Sequence, residues 1–169
     1  MQSPLSCAFI VTMAAYNGWM NDRIYALCDS LTDAQRKEDR GAFFGSIHGT
    51  LNHLLFGDLA WFGRFKDGAP RVVRPDVILH EGFAEMRRAR QALDREIQAW
   101  APTVDAEWLG APFRYRSLIT GHESERPAWV LVTHMFNHQT HHRGQLTTLL
   151  TQFGLDIGVT DLAAMVPTS

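Results

Sequence analysis

Phe136-Asn137-His138-Gln139-Thr140-His141-His142-Arg143-Gly144-Gln145 holds the residues best suited to chemistry in this chain. His138 and His142 are four apart. On a helix that spacing puts both imidazoles on one face, with Cβ atoms roughly 5–6 Å apart, and lets both reach one metal ion at about 2.0–2.1 Å. Four of the eight histidines (His134, His138, His141 and His142) crowd this segment, and His48 and His53 fall in an earlier one. Two ligands hold a metal weakly, so a third must come from elsewhere, and the site is expected where these two segments meet. Spacing alone leaves His134/His138 and His138/His142 equally open as the pair. His53 is the natural third ligand, because Ser46, Gly49, Thr50, Gly57 and Ala60 leave room around it. His48, about 140° round the same helix, is expected at a surface or interface.

Three neutral imidazoles leave a coordination position open, the mark of a catalytic metal. Zinc, nickel, copper and iron all accept imidazole, with zinc and nickel the leading expectation. The candidates for supporting a ligand or touching substrate are Asp58, His141, Arg143 and Gln145. No residue is assigned a catalytic role. Asp58 lies on an apolar face and needs a partner, for which Arg143 or the second ring nitrogen of a ligand histidine are candidates; an ordinary structural ion pair is the plainer reading. Trp61 and Trp129 read as core.

The elements that must position these groups are helical. Phe9, Met13, Tyr16, Met20, Ile24 and Leu27 mark a first helix over about 6–29. Thr32 and Gln35 have the spacing of a capping box. A second helix covers about 44–65, with Ile47, Leu51, Leu54, Leu55, Asp58 and Phe62 on one face. Gly68, Pro70 and Pro75 then break the chain. A third helix spans about 81–100. Its Arg87, Arg88, Arg90 and Arg95 alternate with Glu85, Asp94 and Glu96, which reads as a solvated face. The helical period disappears over 102–126, where 113–118 suggests a short strand or extended loop. The last helix covers about 127–153, with Pro127 in its first turn and Gly154 just past its end. Its stripe Leu131, His134, His138, His142, Gln145 and Leu149 has apolar ends, so its middle is expected to face the interior. The tail after Leu155 reads as irregular. The sum is an all-α protein, a four-helix bundle with a long connection between its third and fourth helices, forming one domain over residues 1–169.

Composition narrows the function. Hydrophobic residues make up 46%, charged residues 20%, and the net charge is −2. That balance is globular and gives no electrostatic case for nucleic acid. No apolar run approaches the roughly 20 residues of a membrane span. The apolar stretch 5–16 lacks a basic leader and reads as a structural helix rather than a targeting segment. Cys7 and Cys28 read as reduced, half-buried thiols of a cytoplasmic protein.

The chain resembles the DinB family, the DinB/YfiT-like metalloenzymes. The resemblance is carried by Tyr16-Asn17-Gly18-Trp19-Met20-Asn21, by residues 43–55 and Asp58-Leu59-Ala60-Trp61, and by Asn137 through Gln145. It implies a four-helix bundle with an unusual connection order, commonly a homodimer; the many apolar and aromatic residues of the first helix fit that expectation. It also implies a divalent metal held by one histidine of the second helix and an HxxxH pair on the last, here His53, His138 and His142. Members with known activities are often transferases or isomerases that use a low-molecular-weight thiol cosubstrate on a small-molecule substrate. A metal-dependent hydrolase, or a non-catalytic bundle stapled by its metal with a stress-related binding role, are the alternatives.

Overall fold

The computed structural model describes residues 3–74 and 77–165, so Pro75, expected to help break the second helix from the third, lies outside the described residues. Its elements are α1 (Cys7–Asp29), α2 (Asp33–Lys37), α3 (Ile47–Asp67), α4 (Phe83–Trp100), a 3-10 turn (Ala101–Thr103), α5 (Ala106–Gly110), β1 (Pro112–Arg116), β2 (Glu123–Pro127), α6 (Ala128–Thr151) and α7 (Leu162–Met165). The architecture is mainly α, with one two-stranded sheet.

Local chemistry sets the boundaries. The hydroxyl of Ser6 accepts from Phe9 N–H and opens α1. Thr32 and Gln35 form the reciprocal capping box expected of them, around α2. Ser46 caps α3 through Gly49 N–H, so α3 begins three residues later than the apolar run suggests, and Gly68 ends it at φ 80°. At the end of α6, Gly154 takes φ 73°. Leu155 N–H then reaches Leu150 O and Gly154 N–H reaches Thr151 O, a Schellman closure. Pro127 serves as N-cap of α6 while ending β2.

Four long helices carry the core. α3 packs on α6, α1 on both α4 and α6, and α4 on α3. The expected face of α3 is buried throughout, Asp58 included. On α1 the buried line is Ile10, Ala14, Met20, Ile24 and Cys28, while Phe9 stays 38% exposed at its edge. On α6 the buried line is Val132, Met135, Phe136, Leu146 and Leu150. Of the expected histidine stripe, Leu131, His142 and Leu149 are buried, His138 and Gln145 half-buried and His134 exposed, so the stripe runs along the edge of the core. Cys28 is buried, Cys7 half-buried, and both are free thiols.

The reading of the α4 charges as a solvated face is corrected for Arg90 and Asp94, which are buried. Arg90 is 2% exposed, and it pairs with Asp58 of α3 at 2.7 Å and with Asp94 at 2.7 Å. Asn21 of α1 donates to both Asp94 oxygens. This buried cluster ties three helices together. The other charges of that face stay at the surface as expected: Glu85, Arg88 and Arg95 are exposed, Arg87 pairs with Asp29, and Glu96 pairs with Lys66 and Arg71.

The connection between α4 and α6 is more ordered than its sequence suggests. Asp105 caps the five-residue α5. β1 and β2 pair antiparallel, Phe113 opposite Arg126 and Tyr115 opposite Ser124. Only Phe113 and Tyr115 pack inward against the core. β2 is Glu-Ser-Glu-Arg-Pro, without the apolar alternation that reveals a strand, since Glu125 serves by pairing with Arg114.

His48 is also corrected. It is 3% exposed, and its Nε2 donates to His80 O at 2.9 Å. Asn52 holds the same loop, accepting from Leu79 and His80 N–H and donating to His80 O. Both side chains point from α3 into the loop before α4, where unpaired backbone groups need partners. No helix among the described residues is long and apolar enough to cross a membrane.

Candidate metal centre

α3 and α6 lie side by side, and their contact brings His53 against His138 and His142. One imidazole nitrogen from each of the three lies within 4.8 Å of the others. The Nε2 atoms of His53 and His138 are 3.0 Å apart. Two donors at about 2.1 Å from one ion can be at most about 4.2 Å apart, so closing on an ion asks for a shift of roughly half an ångström. The structure thus selects His138/His142 over His134/His138. His134 is exposed, its ring 5.2 Å from Trp61 and 6.1 Å from His138, and outside the cluster.

The site keeps its imidazoles neutral. Burial, then the neighbouring His142, pushes His53 down to about 4. Burial, then His142 and His53, pushes His138 down to about 3. Burial also lowers His142, against an opposing hydrogen bond from Gln145. Neutral imidazole is the form that ligates. His142 Nδ1 lies 2.8 Å from Gln145 Oε1, an acceptor, so Nδ1 carries the proton and Nε2 keeps its lone pair. The buried Nδ1 of His53 has no hydrogen-bond partner. Three converging neutral rings, one with its tautomer fixed by a neighbour, fit a divalent transition-metal ion.

Two neighbours shape the site that histidine spacing does not reveal. The ring of Phe44 stacks on His53 at 3.8 Å between centroids and meets His142 edge-on at 5.4 Å. It gets there because Gly49 lacks a side chain: a Cβ would lie 2.2 Å from Phe44 O. Gly57 belongs to the small-residue face expected around His53, but the ring it admits is that of His138, whose Cε1 would lie 2.7 Å from a Cβ. An aromatic two residues before a helix cap, and a glycine four residues after a candidate ligand, are the signals that could have marked them.

The supporting candidates divide. Gln145 touches a triad histidine as expected. His141 is exposed, with its ring 4.8 Å from that of His142. Asp58 and Arg143 bond neither to the triad nor to each other among the described residues, although the nearby Asp58 charge raises the Arg143 pKa. Asp58 is held by Arg90; burial raises its carboxyl pKa, while the Arg90 charge pulls it back. Arg143 donates to Asn17 Oδ1 and, at 3.1 Å, to Thr140 Oγ1, and lies over the Tyr16 ring. Burial lowers Arg143 to about 10. It fastens α6 to α1. Trp129 packs against the core as expected, but Trp61 forms the wall of a cavity beside the triad, with Tyr115 at 5.1 Å.

The sequence model of the DinB family matches residues 1–167. Protein DinB of Bacillus subtilis (strain 168) is 24% identical over 160 residues, which cover 90% of this chain and 91% of that relative.

Proposed function

The chain belongs to the DinB family, and from that premise we propose that it is a metal-dependent enzyme of the thiol-dependent transferase or isomerase type. In this reading the four long helices form a DinB-type four-helix bundle, one domain over residues 1–169. His53, His138 and His142 hold one divalent ion, zinc or nickel. The observation that carries the proposal is the convergence of three neutral imidazoles, with no acidic fourth ligand among the described residues. Three protein ligands are the pattern of catalytic rather than structural sites. A bound ion would supply Lewis-acid chemistry, lowering the pKa of a thiol or water at its open position.

The residues of the chain do the rest. Gln145 fixes the His142 tautomer, Phe44 keeps water off one face of His53, and Gly57 leaves room for His138. The fold does not need the ion as a staple, because an apolar core joins all four long helices and the Asp58–Arg90–Asp94 cluster locks three of them. A cytoplasmic homodimer completes the proposal, with Phe9 and Val11, 38% and 39% exposed, available at its interface.

The test is a screen of small electrophilic substrates with low-molecular-weight thiols, run on metal-loaded and chelator-treated protein, with circular dichroism on both. Thiol-dependent turnover that disappears with the metal while helicity stays supports the proposal. Turnover with water alone would move it to a hydrolase. Collapse of the helices on chelation would make the ion a staple.

A further inference from the structure

The cavity beside the triad has a volume of about 270 Å³, just under the roughly 300–1,000 Å³ typical of ligand pockets. Trp61 and Arg64 of α3 line it, as do Tyr115 and Ile119 of the hairpin and His138 of α6. Its walls are mostly apolar. Ile119, near the hairpin tip, is 88% exposed, an apolar side chain left without cover at the cavity.

Arg64 is the unusual group here. It is 6% exposed. Nη1 donates to Ala60 O at 3.1 Å and Nη2 to Arg116 O at 3.0 Å. Its guanidinium lies 4.8 Å from the centre of the Trp61 ring and 5.9 Å from that of Tyr115. None of these contacts supplies a negative charge. Burial pulls its pKa below the usual arginine value, and no carboxylate pushes it back. Arg90, buried still more deeply, has Asp58 and Asp94. Glu123 lines an adjoining cavity together with Arg64 but forms no ion pair with it among the described residues. Arginine has five N–H donors, and two find acceptors among the described residues. A buried cation without a counter-charge is costly, and its planar fork matches a carboxylate.

We propose that this cavity binds a small organic carboxylate with a flat, apolar body. The carboxylate takes the free donors of Arg64, the body lies against Trp61 and Tyr115 beneath Ile119, and the far end reaches His138. Only the identity of the reacting end rests on reading the triad as a metal centre; the carboxylate pocket stands without it.

Calorimetric titration with cinnamate and its neutral analogue cinnamamide tests this on the full-length protein, metal-loaded and chelator-treated. Cinnamate is expected to bind more tightly by roughly tenfold to a hundredfold, the worth of a hydrogen bond to a charged group. The preference should persist without metal and disappear in Arg64→Gln. Because Arg64 also ties β1 to α3, Trp61→Leu is the second variant; it should weaken both probes alike and keep the preference. Equal binding of the two probes by the unmodified protein overturns the proposal. So does a preference that survives Arg64→Gln or vanishes with the metal, which would put the carboxylate on the ion and leave the metal reading standing. A preference kept by a protein that takes up no metal supports this proposal while the metal reading fails.

Discussion

Gly57→Ala should separate metal binding from folding. Gly57 lies inside α3, and a Cβ there would sit 2.7 Å from Cε1 and 3.0 Å from Nδ1 of His138. Ordinary contact begins at 3.4 Å, so the imidazole must retreat by roughly 0.7 Å. Metal–ligand distances tolerate only about 0.2 Å of error, so the displaced ring ceases to be a good ligand. The backbone gains meanwhile: alanine is favoured over glycine in a helix interior by about 0.8–1.0 kcal/mol, which offsets much of the cost of moving one side chain. Gly144→Ala is the control. It makes the same change in α6, where a Cβ would meet nothing within 4 Å, and should stabilise by up to about 1 kcal/mol with metal binding untouched. Competition against a chromophoric zinc chelator gives the affinities, and urea unfolding of the metal-free proteins gives the stabilities. Gly57→Ala should lose roughly 10–100-fold or more in zinc affinity, the loss that follows when a ligand's support is disturbed, and stay within about 1 kcal/mol of the unmodified protein. Unchanged zinc affinity in Gly57→Ala would refute the reasoning, since it would mean that the position of the His138 ring does not matter to the metal.

Gln145→Leu should also weaken zinc binding by roughly 10–100-fold, while Gln145→Glu, which keeps an acceptor for His142 Nδ1, should restore most of it in the same competition assay. Asp58→Ala strips a counter-charge from buried Arg90 and should cost about 3–5 kcal/mol in urea unfolding; the folded fraction should bind metal normally, because Asp58 does not touch the triad. The stability of the metal-free protein should fall with pH below about 6.5. His53 and His138 titrate near 4 and 3 when folded but near 6.5 when unfolded. In that window the unfolded chain binds more protons, so stability is fully present above about 6.5 and is lost progressively down to about pH 3–4. A chemical-denaturation midpoint that rises on acidification through this range would contradict those shifts.

The long helices were legible because they rest on local rules. Periodicity located α1, α3, α4 and α6 to within a few residues, while a four-residue spacing left His134/His138 and His138/His142 both open, and the set His53, His138 and His142 came from the family resemblance. What stayed hidden depends on which elements meet. Asp58 announced that it needed a partner, but Arg90 lies 32 residues on, and nothing local distinguishes it from Arg87, which is an ordinary surface charge. His48 and His53 are five residues apart on the same helix, and only the approach of the loop at His80 decides that one is a backbone clamp while the other faces α6. Residues 113–118 suggested β1, but β2 escaped notice because it is bound by cross-strand pairing and charge rather than by an apolar face. The cavity could not be foreseen for the same reason, as half of its wall comes from that hairpin.

The central claim is that His53, His138 and His142 together hold one metal ion. Elemental analysis of the purified protein and of His138→Ala, with X-ray absorption on the zinc- or nickel-loaded protein, tests it most directly. The account predicts one ion per chain, imidazole nitrogens at about 2.0–2.1 Å, and loss of most of the metal in His138→Ala with helicity kept. Metal content unchanged in that variant would contradict it.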